Sequence, residues 1–398
     1  MAIDGSGFSL LTLALAAALG ATYTVPSGTV LHVRLTQAVS SQTARRGDAV
    51  RATLVAPVEA GDRRIGVGAT LEGAVADVTR HSIDHSARLR LDFNKLAVGS
   101  STVPIGTALI AVDNARETIG RDGAILGPVT QSDRALGRVE LMALAVLVPE
   151  IFVLDVAGSR VREGVHVDIS YGSGVDLDLQ LTQPFEIAGD ALQAARPTAS
   201  VPTSLAAQVR AFPIRSAAGR PPRPADVVNI VFLGSRDRLS GAFARAGWNT
   251  AEALGARADV KTFLAVAGRE GYQRGPVSLQ TLDGRDPDLV FQKQTNTFAK
   301  RHHVRIWRRG LWNGRQLWAA AATHDIGVKF AAGERTFTHR VEAQIDLERT
   351  KIADDLAFIG VPVAGFVDRP SAPKSVTNAT GDELITDGRL MVIDLGDR

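Results

Sequence analysis

The sequence contains no cysteine, which excludes disulfide bonds, thiolate metal ligands and a cysteine nucleophile. It also has no large excess of either charge, because 45 Lys and Arg residues stand against 42 Asp and Glu residues, for a formal net charge of +3. A nucleic-acid partner is therefore not expected. Glycine-rich phosphate loops and the nucleophile elbow of hydrolases are missing as well, so no well-understood catalytic motif is present.

An apolar run near the N-terminus has the length of a signal-peptide core and is short for a membrane span. Residues 8–21 read FSLLTLALAAALGA, with Ala18 and Gly20 at the small-residue positions before a candidate cleavage site. The residues ahead of this run contain no Lys or Arg, so the usual positive n-region is missing. We expect residues 1–21 to direct the protein to the periplasm or outside the cell. An uncleaved inner-membrane anchor over residues 8–21 and a buried helix are the alternatives.

The chain is long enough, at 398 residues of which 45% are hydrophobic, to bury more than one core. Short alternating runs between Gly, Pro, Asp and Ser clusters predict an all-β domain over residues 22–188, shaped as a barrel or sandwich. The dense apolar segment 132–158 predicts a helical insertion in it. Several prolines within residues 189–225 predict an extended linker that buries little. Residues 226–360 are expected to form a second domain, followed by a C-terminal tail over residues 361–398.

Patterns in the second half combine buried strands with amphipathic helices. Residues 227–233 form a continuous apolar run, which predicts a strand buried on both faces. Further strands are predicted at 289–293, 302–307, 316–323 and 337–341, and helices at 236–246, 250–266 and 346–357. Asn313 and Gly314 are typical of a tight hairpin turn. This order predicts a mixed-sheet α+β domain with helices laid on one sheet.

Four of the eight histidines lie between residues 300 and 340, in a segment that is rich in arginine. When residues 300–309 form a strand, alternate side chains point to opposite faces. One face would then carry Arg301, His303, Arg305 and Trp307, and the other His302, Val304 and Ile306. We expect the second face to pack and the first to be cationic. The candidate site residues are His303, His324 and Asp325 as catalytic groups, Arg301 and Arg305 as anion-binding groups, and His302 and His339 as metal ligands.

Three interpretations of these residues remain open. In the first, histidines and carboxylates, with Asp346 as a further candidate, hold a divalent metal such as zinc or manganese that activates water. In the second, the arginines bind a phosphate or carboxylate while a histidine acts as general acid or nucleophile and Asp325 orients it, which suits a phosphate ester. In the third, the face is structural and belongs to a binding or assembly module.

Several phrases of the second half resemble the LssY-like C-terminal domain family of bacteria. They run in order from about residue 212 to residue 356 and include AFARAGW, DLVFQKQTN, RHHVRIW, LWAAAATHDIGV and FTHRVEAQIDLER. The resemblance implies association with a type I secretion locus and no established reaction. The phrase VPSGTVLHVRL and its neighbours in the first half resemble β-barrel modules of bacterial envelope and secretion proteins.

These observations predict an exported, envelope-associated module that binds an anionic small molecule or a protein of the envelope or secretion system. Peripheral association with a membrane is compatible with this function. A hydrolase of phosphate esters, metal-assisted or not, is the alternative. The two hypotheses differ in geometry, since hydrolysis requires the candidate side chains to converge in one concave pocket.

Overall fold

A computed structural model describes residues 20–82, 85–127, 168–195, 200–250, 280–293, 300–331 and 336–396. No helix in these ranges is long and apolar enough to cross a membrane. The apolar run up to residue 19, the predicted helical insertion at 132–158 and the helix predicted at 250–266, apart from residue 250, lie outside the described residues.

Within the described part of the first half, the chain folds into a nearly closed, barrel-like sheet of nine antiparallel strands. The strands of this half are β1 (Thr22–Val25), β2 (Val30–Leu35), β3 (Val39–Ser40), β4 (Ala49–Leu54), β5 (Val58–Ala60), β6 (Arg63–Ile65), β7 (Thr70–Thr79), β8 (Arg88–Val98), β9 (Ser101–Pro104), β10 (Thr107–Val112), β11 (Thr118–Ile119), β12 (Ile125–Leu126), β13 (Ser170–Tyr171), β14 (Asp176–Leu181), β15 (Phe185–Ala188) and β16 (Gln193–Ala194). The barrel-like sheet has the order β10, β14, β2, β4, β7, β8, β12 and β11, with β9 beside β8. Smaller sheets pair β1 with β15, β3 with β13, and β5 and β16 with β6.

Alternation of apolar and polar residues explains this sheet. In β2, Leu31, Val33 and Leu35 are buried, while the residues between them are at least partly exposed. Leu89 and Phe93 of β8 are likewise buried in the same core. The predicted all-β architecture of this half is confirmed.

In the residues that the structure describes, the second half forms a mixed sheet with three helices. Its elements are α1 (Thr203–Arg210), β17 (Arg215–Ala218), β18 (Arg223–Val227), β19 (Ile230–Leu233), α2 (Arg236–Arg245), β20 (Asn249–Thr250), β21 (Gln280–Thr281), β22 (Leu289–Lys293), β23 (Lys300–Trp312), β24 (Arg315–Ala331), β25 (Thr336–Val341), α3 (Ile345–Phe358), β26 (Val363–Asp368), β27 (Ser375–Thr377), β28 (Glu383–Ile385) and β29 (Arg389–Asp394). The main sheet has the order β20, β22, β23, β24, β19, β29 and β26, with β25 beside β24. Only the β19–β29 pair is parallel among its described pairs, and the predicted α+β class is confirmed.

The main sheet is covered on both faces. Helices α2 and α3 pack on one face, where Phe243 and Leu356 join the core around Phe232. Helix α1 packs on the other face through Val209, in the core that contains Trp307. A small sheet of β18, β17 and β21 belongs to this second side, because Asp226 of β18 contacts β23. Both faces of the central strands are therefore removed from solvent.

The segment predicted as an extended linker is largely folded between residues 200 and 225. Leu205 and Val209 of α1 are buried, and β17 pairs with β18. The prolines do not oppose these elements, because Pro202 stands at the N-cap of α1 and Pro224 lies on β18, an edge strand. The prediction that this segment buries little is wrong for these residues.

The predicted C-terminal tail is also part of the fold. Strand β29 lies between β19 and β26, and its residues Leu390, Val392 and Ile393 are buried. A continuous apolar run that pairs in parallel inside a sheet is buried on both sides. The boundary predicted at residue 360 is therefore wrong.

Candidate functional site

The β23–β24 hairpin determines where the candidate side chains lie. In its antiparallel register, Arg301 is opposite Asp325 and His302 is opposite His324. Directly opposite residues share a face, and neighbouring residues along a strand do not. Arg301, His303 and Asp325 therefore lie on one face, and His302 and His324 on the other. The candidate residues do not converge in one pocket.

The face predicted to be cationic is buried. Arg301, His303 and Arg305 are exposed by no more than 4%. Asp226, on a strand from the segment predicted to be a linker, accepts a hydrogen bond from Arg305. The prediction of an exposed basic face is wrong because these folded residues cover the sheet.

The two arginines predicted to bind an anion have carboxylate partners inside the protein. Arg305 Nη1 donates to Asp226 Oδ2 at 2.9 Å, and Gln280 Nε2 donates to the same oxygen at 2.8 Å. Arg301 Nε donates to Asp325 Oδ2 at 3.2 Å. A ligand anion at this face would have to displace a buried carboxylate, which disfavours the predicted anion-binding role.

Thr323, His303 and Asp325 lie in a row that resembles a nucleophile, a base and its orienting acid. Thr323 Oγ1 is 2.7 Å from His303 Nε2, and His303 Nδ1 is 3.6 Å from Asp325 Oδ2. Burial lowers the pKa of His303 well below its ordinary value, while burial raises the pKa of Asp325 to about 7 against the effect of Arg301. Thr323 is 0% exposed, so its hydroxyl has no access to a substrate.

His339 lies with the arginine face. Its Nε2 is 3.2 Å from Arg301 Nη2, and its Nδ1 is 3.6 Å from Asp325 Oδ2. His302 is on the opposite face of the sheet. These two histidines, predicted together as metal ligands, cannot share an ion.

The opposite face of the hairpin contacts the first half of the chain. The turn after β10, residues 113–115, reaches the two histidines there. Asp113 Oδ1 lies 2.8 Å from His302 Nε2, and Asn114 Oδ1 lies 3.0 Å from His324 Nε2. Asn114 has a positive φ of 52°, a conformation that asparagine tolerates better than most residues. We call residues 113–115 the interface turn.

His302 lies between two carboxylates and against a second imidazole. Its Nδ1 is 2.5 Å from Glu348 Oε2 on α3, and its ring stacks on that of His324 with centroids 4.1 Å apart. Burial lowers the pKa of His302, but the charges of Asp113 and Glu348 outweigh this effect and raise it to about 10. Burial and the charge of His302 lower the pKa of His324 to about 3. A cationic imidazole therefore stacks on a neutral one.

This face also contains a set of metal donors. One ligand atom each from Asp113, His302 and His324 lies within 4.8 Å of the other two. Imidazole nitrogen and carboxylate oxygen are common zinc donors.

A second contact between the halves is a buried charged cluster of five residues. Its members are Arg34 and Asp176 of the first half and Lys293, Lys351 and Asp355 of the second. Asp355 accepts hydrogen bonds from Arg34 at 2.7 Å, from Lys293 at 3.0 Å and from Lys351 at 2.9 Å. Asp176 also accepts from all three cations. The cations lower the pKa of both aspartates despite the opposing effect of burial, so both carboxylates are ionised.

Residues 210–390 match the family model described as LssY C-terminus. The chain carries an LssY-like C-terminal domain. A comparison with curated proteins finds no match. The match confirms the resemblance seen in the sequence and extends it to β29, which was predicted as tail. Asp113 and Asp176 lie outside the matched residues, so the LssY-like domain completes its polar contacts with groups from the first half.

Asp113, Glu348 and the charged cluster were not predicted from the sequence. Asp176 stands in the alternating strand β14, in which acids ordinarily face solvent, yet it is 6% exposed. One usable signal was the spacing of Lys351 and Asp355, which places them on the same face of α3. For the interface turn the sequence has no comparable signal, because its partners in the LssY-like domain lie almost two hundred positions further along the chain.

A basic groove lies in the first half, and no residue of the LssY-like domain is among its lining residues. It measures about 510 Å³, and its polar lining includes Ser41, Arg45, Arg80, His81, Ser82 and His85. Arg45 and Arg80 are exposed, and among the described residues neither forms an ion pair. Ser41 Oγ donates to Asp168 Oδ1 at 3.1 Å, so that carboxylate is engaged beside the groove. We call this feature the basic groove.

Proposed function

We propose that the protein is an exported, non-catalytic binding module of the bacterial cell envelope. Its ligand is an anion, which binds in the basic groove of the first half. The main support for this proposal is that two pairs of arginines differ in their surroundings. Arg301 and Arg305 are neutralised by buried carboxylates, whereas Arg45 and Arg80 are exposed on a concave surface. Exposed guanidinium groups suit carboxylate and phosphate ligands because they donate hydrogen bonds in a planar fork.

Binding is favoured over phosphate-ester hydrolysis because of access. The candidate base His303 and its neighbour Thr323 are buried. The arginines that would hold the phosphate already have internal partners. A hydrolase needs a nucleophile or an activated water beside a bound substrate, and this arrangement offers no room for one.

Export is supported by the apolar run at residues 8–21. The absence of cysteine makes an oxidising compartment tolerable without demanding one. An envelope or secretion-system protein that carries an anionic group would be a suitable partner for the groove. Cell fractionation of the producing bacterium, with sequencing of the mature N-terminus, tests this part of the proposal. Recovery of the chain in the cytoplasm with an intact N-terminus would contradict it.

The ligand assignment is tested with tripolyphosphate as a probe anion in isothermal titration calorimetry. We expect binding that weakens as salt is added, because exposed charges are screened. Arg45→Gln combined with Arg80→Gln should weaken binding at least about tenfold, which corresponds to ~1.4 kcal/mol. Arg90→Gln is the matched control, since Arg90 is also exposed and lies outside the groove lining.

The same preparations decide between binding and hydrolysis. Wild-type protein should bind the probe and release no phosphate from p-nitrophenyl phosphate. Turnover that His303→Ala abolishes would establish the hydrolase instead. Equal affinity for tripolyphosphate in the control and in the double variant would show that the basic groove is not the anion-binding site.

A further inference from the structure

We infer that Asp113, His302 and His324 form a binding site for a divalent transition-metal ion, best suited to zinc, at the contact between the two halves of the chain. Two of the ligands come from neighbouring strands of the LssY-like domain and the third from the interface turn. The ion would tie the first half to the second, which is a structural role separate from ligand binding in the basic groove.

The donor geometry is the first support. One atom from each of the three side chains lies within 4.8 Å of the other two, so small rotations bring all three to a common ion. The rings of His302 and His324 are held side by side, 4.1 Å apart and inclined by 21°. Two imidazole nitrogens and one carboxylate oxygen make a donor set that protein zinc sites use, with the fourth position left to another oxygen or water.

An oxygen for that fourth position is already nearby. Asn114 Oδ1 lies 3.0 Å from His324 Nε2. Asn114 is 3% exposed, and its Nδ2 has no hydrogen-bond partner among the described residues. Its amide is therefore held in place by the fold of the interface turn and not by a complete set of hydrogen bonds.

Glu348 has the position of an orienting carboxylate. Its Oε2 is 2.5 Å from His302 Nδ1, the ring nitrogen on the side away from Asp113. Histidines that bind metals commonly donate the second ring N–H to a carboxylate, which fixes the ring and makes the ligating nitrogen more basic. Glu348 is 3% exposed, so this hydrogen bond is protected from water.

Charge balance is consistent with an ion at this place. The carboxylates of Asp113 and Glu348 both lie within hydrogen-bond distance of the His302 ring. A divalent ion held by two neutral imidazoles and the Asp113 carboxylate would balance the charge of these two acids.

The test is metal binding by purified full-length protein, treated with chelator, loaded with zinc and dialysed. We expect one zinc per chain by elemental analysis and a rise in the midpoint of thermal unfolding on loading. His324→Gln and Asp113→Asn should each lose the bound zinc and the thermal shift. Glu348→Gln should keep the site with an affinity about 10–100-fold lower.

His339→Gln is the matched control, because His339 belongs to the same domain but lies on the other face of the sheet. This variant should retain one zinc per chain. Circular dichroism of each metal-free variant shows whether it is folded, and cobalt substitution offers a second readout through the visible absorption of a four-coordinate ion. Wild-type protein that takes up no zinc, or folded His324→Gln protein that retains it, would overturn the inference.

Discussion

The charged cluster predicts a large loss of stability when Asp355 loses its charge. Asp355 has an exposure of 0% and accepts hydrogen bonds from Arg34, Lys293, Lys351 and the indole nitrogen of Trp248. In Asp355→Asn the three cations share one carboxylate, that of Asp176. The folded variant must therefore bury two positive charges that no carboxylate neutralises, which lowers its stability.

The size of the effect follows from how much water can reach each cation. The side chains of Arg34 and Lys351 are 15% and 22% exposed, so solvent offsets part of their loss, but that of Lys293 is only 6% exposed. Removing one partner of a buried ion pair lowers the free energy of unfolding by about 3–5 kcal/mol. We expect a loss near the lower limit, about 3 kcal/mol in the free energy of unfolding.

Urea unfolding followed by circular dichroism measures this loss. Asp178→Asn is the control, because Asp178 pairs with His32 at 2.6 Å where the two side chains are 38% and 50% exposed, and such pairs contribute about 0–1 kcal/mol. Adding Lys293→Met to Asp355→Asn should restore part of the stability, since it removes the least hydrated cation. Equal losses in Asp355→Asn and Asp178→Asn would refute the reasoning.

Three further predictions concern other buried groups. The raised pKa of His302, about 10, means that its charge contributes stability fully below pH 6.5 and that this contribution is lost as the pH rises through 10. With chelator present, the unfolding free energy should therefore fall over this range, and fall less in His302→Gln. Arg305→Met should cost about 3–5 kcal/mol because Asp226 is left charged and buried, and adding Asp226→Asn should recover much of it in the same urea assay. Trp248→Phe should cost about 1.5–3 kcal/mol, measured by thermal unfolding, since it removes the 2.9 Å hydrogen bond to the Asp355 carboxylate.

Local pattern was sufficient to predict the hairpin that carries the candidate residues. Alternation over residues 300–309 correctly separates His302 from its neighbours Arg301 and His303. Asn313 and Gly314 adopt positive φ values of 48° and 78°, as the tight turn between β23 and β24 requires. Short-range periodicity and turn chemistry depend on adjacent residues, which the sequence displays directly.

The exposure of those residues could not be predicted in the same way. Whether Arg305 faces water or a carboxylate depends on Asp226, about eighty positions earlier, on a strand that begins inside the segment whose prolines predicted a linker. The partners of His302 lie both further along the same domain, at Glu348, and in the other half, at Asp113. Such contacts arise from tertiary packing, and a single sequence contains no periodicity that reports them.

The central claim is that the histidine- and arginine-rich strand is buried between other parts of the protein and is not a solvent-facing active surface. Diethyl pyrocarbonate modification of the native protein, read out by mass spectrometry at each histidine, tests it most directly. His32, with its side chain 50% exposed, should be modified readily, whereas His302 and His303, each with a side chain 5% exposed, should be protected until the protein unfolds. Modification of His302 and His303 at the rate of His32 would contradict the claim.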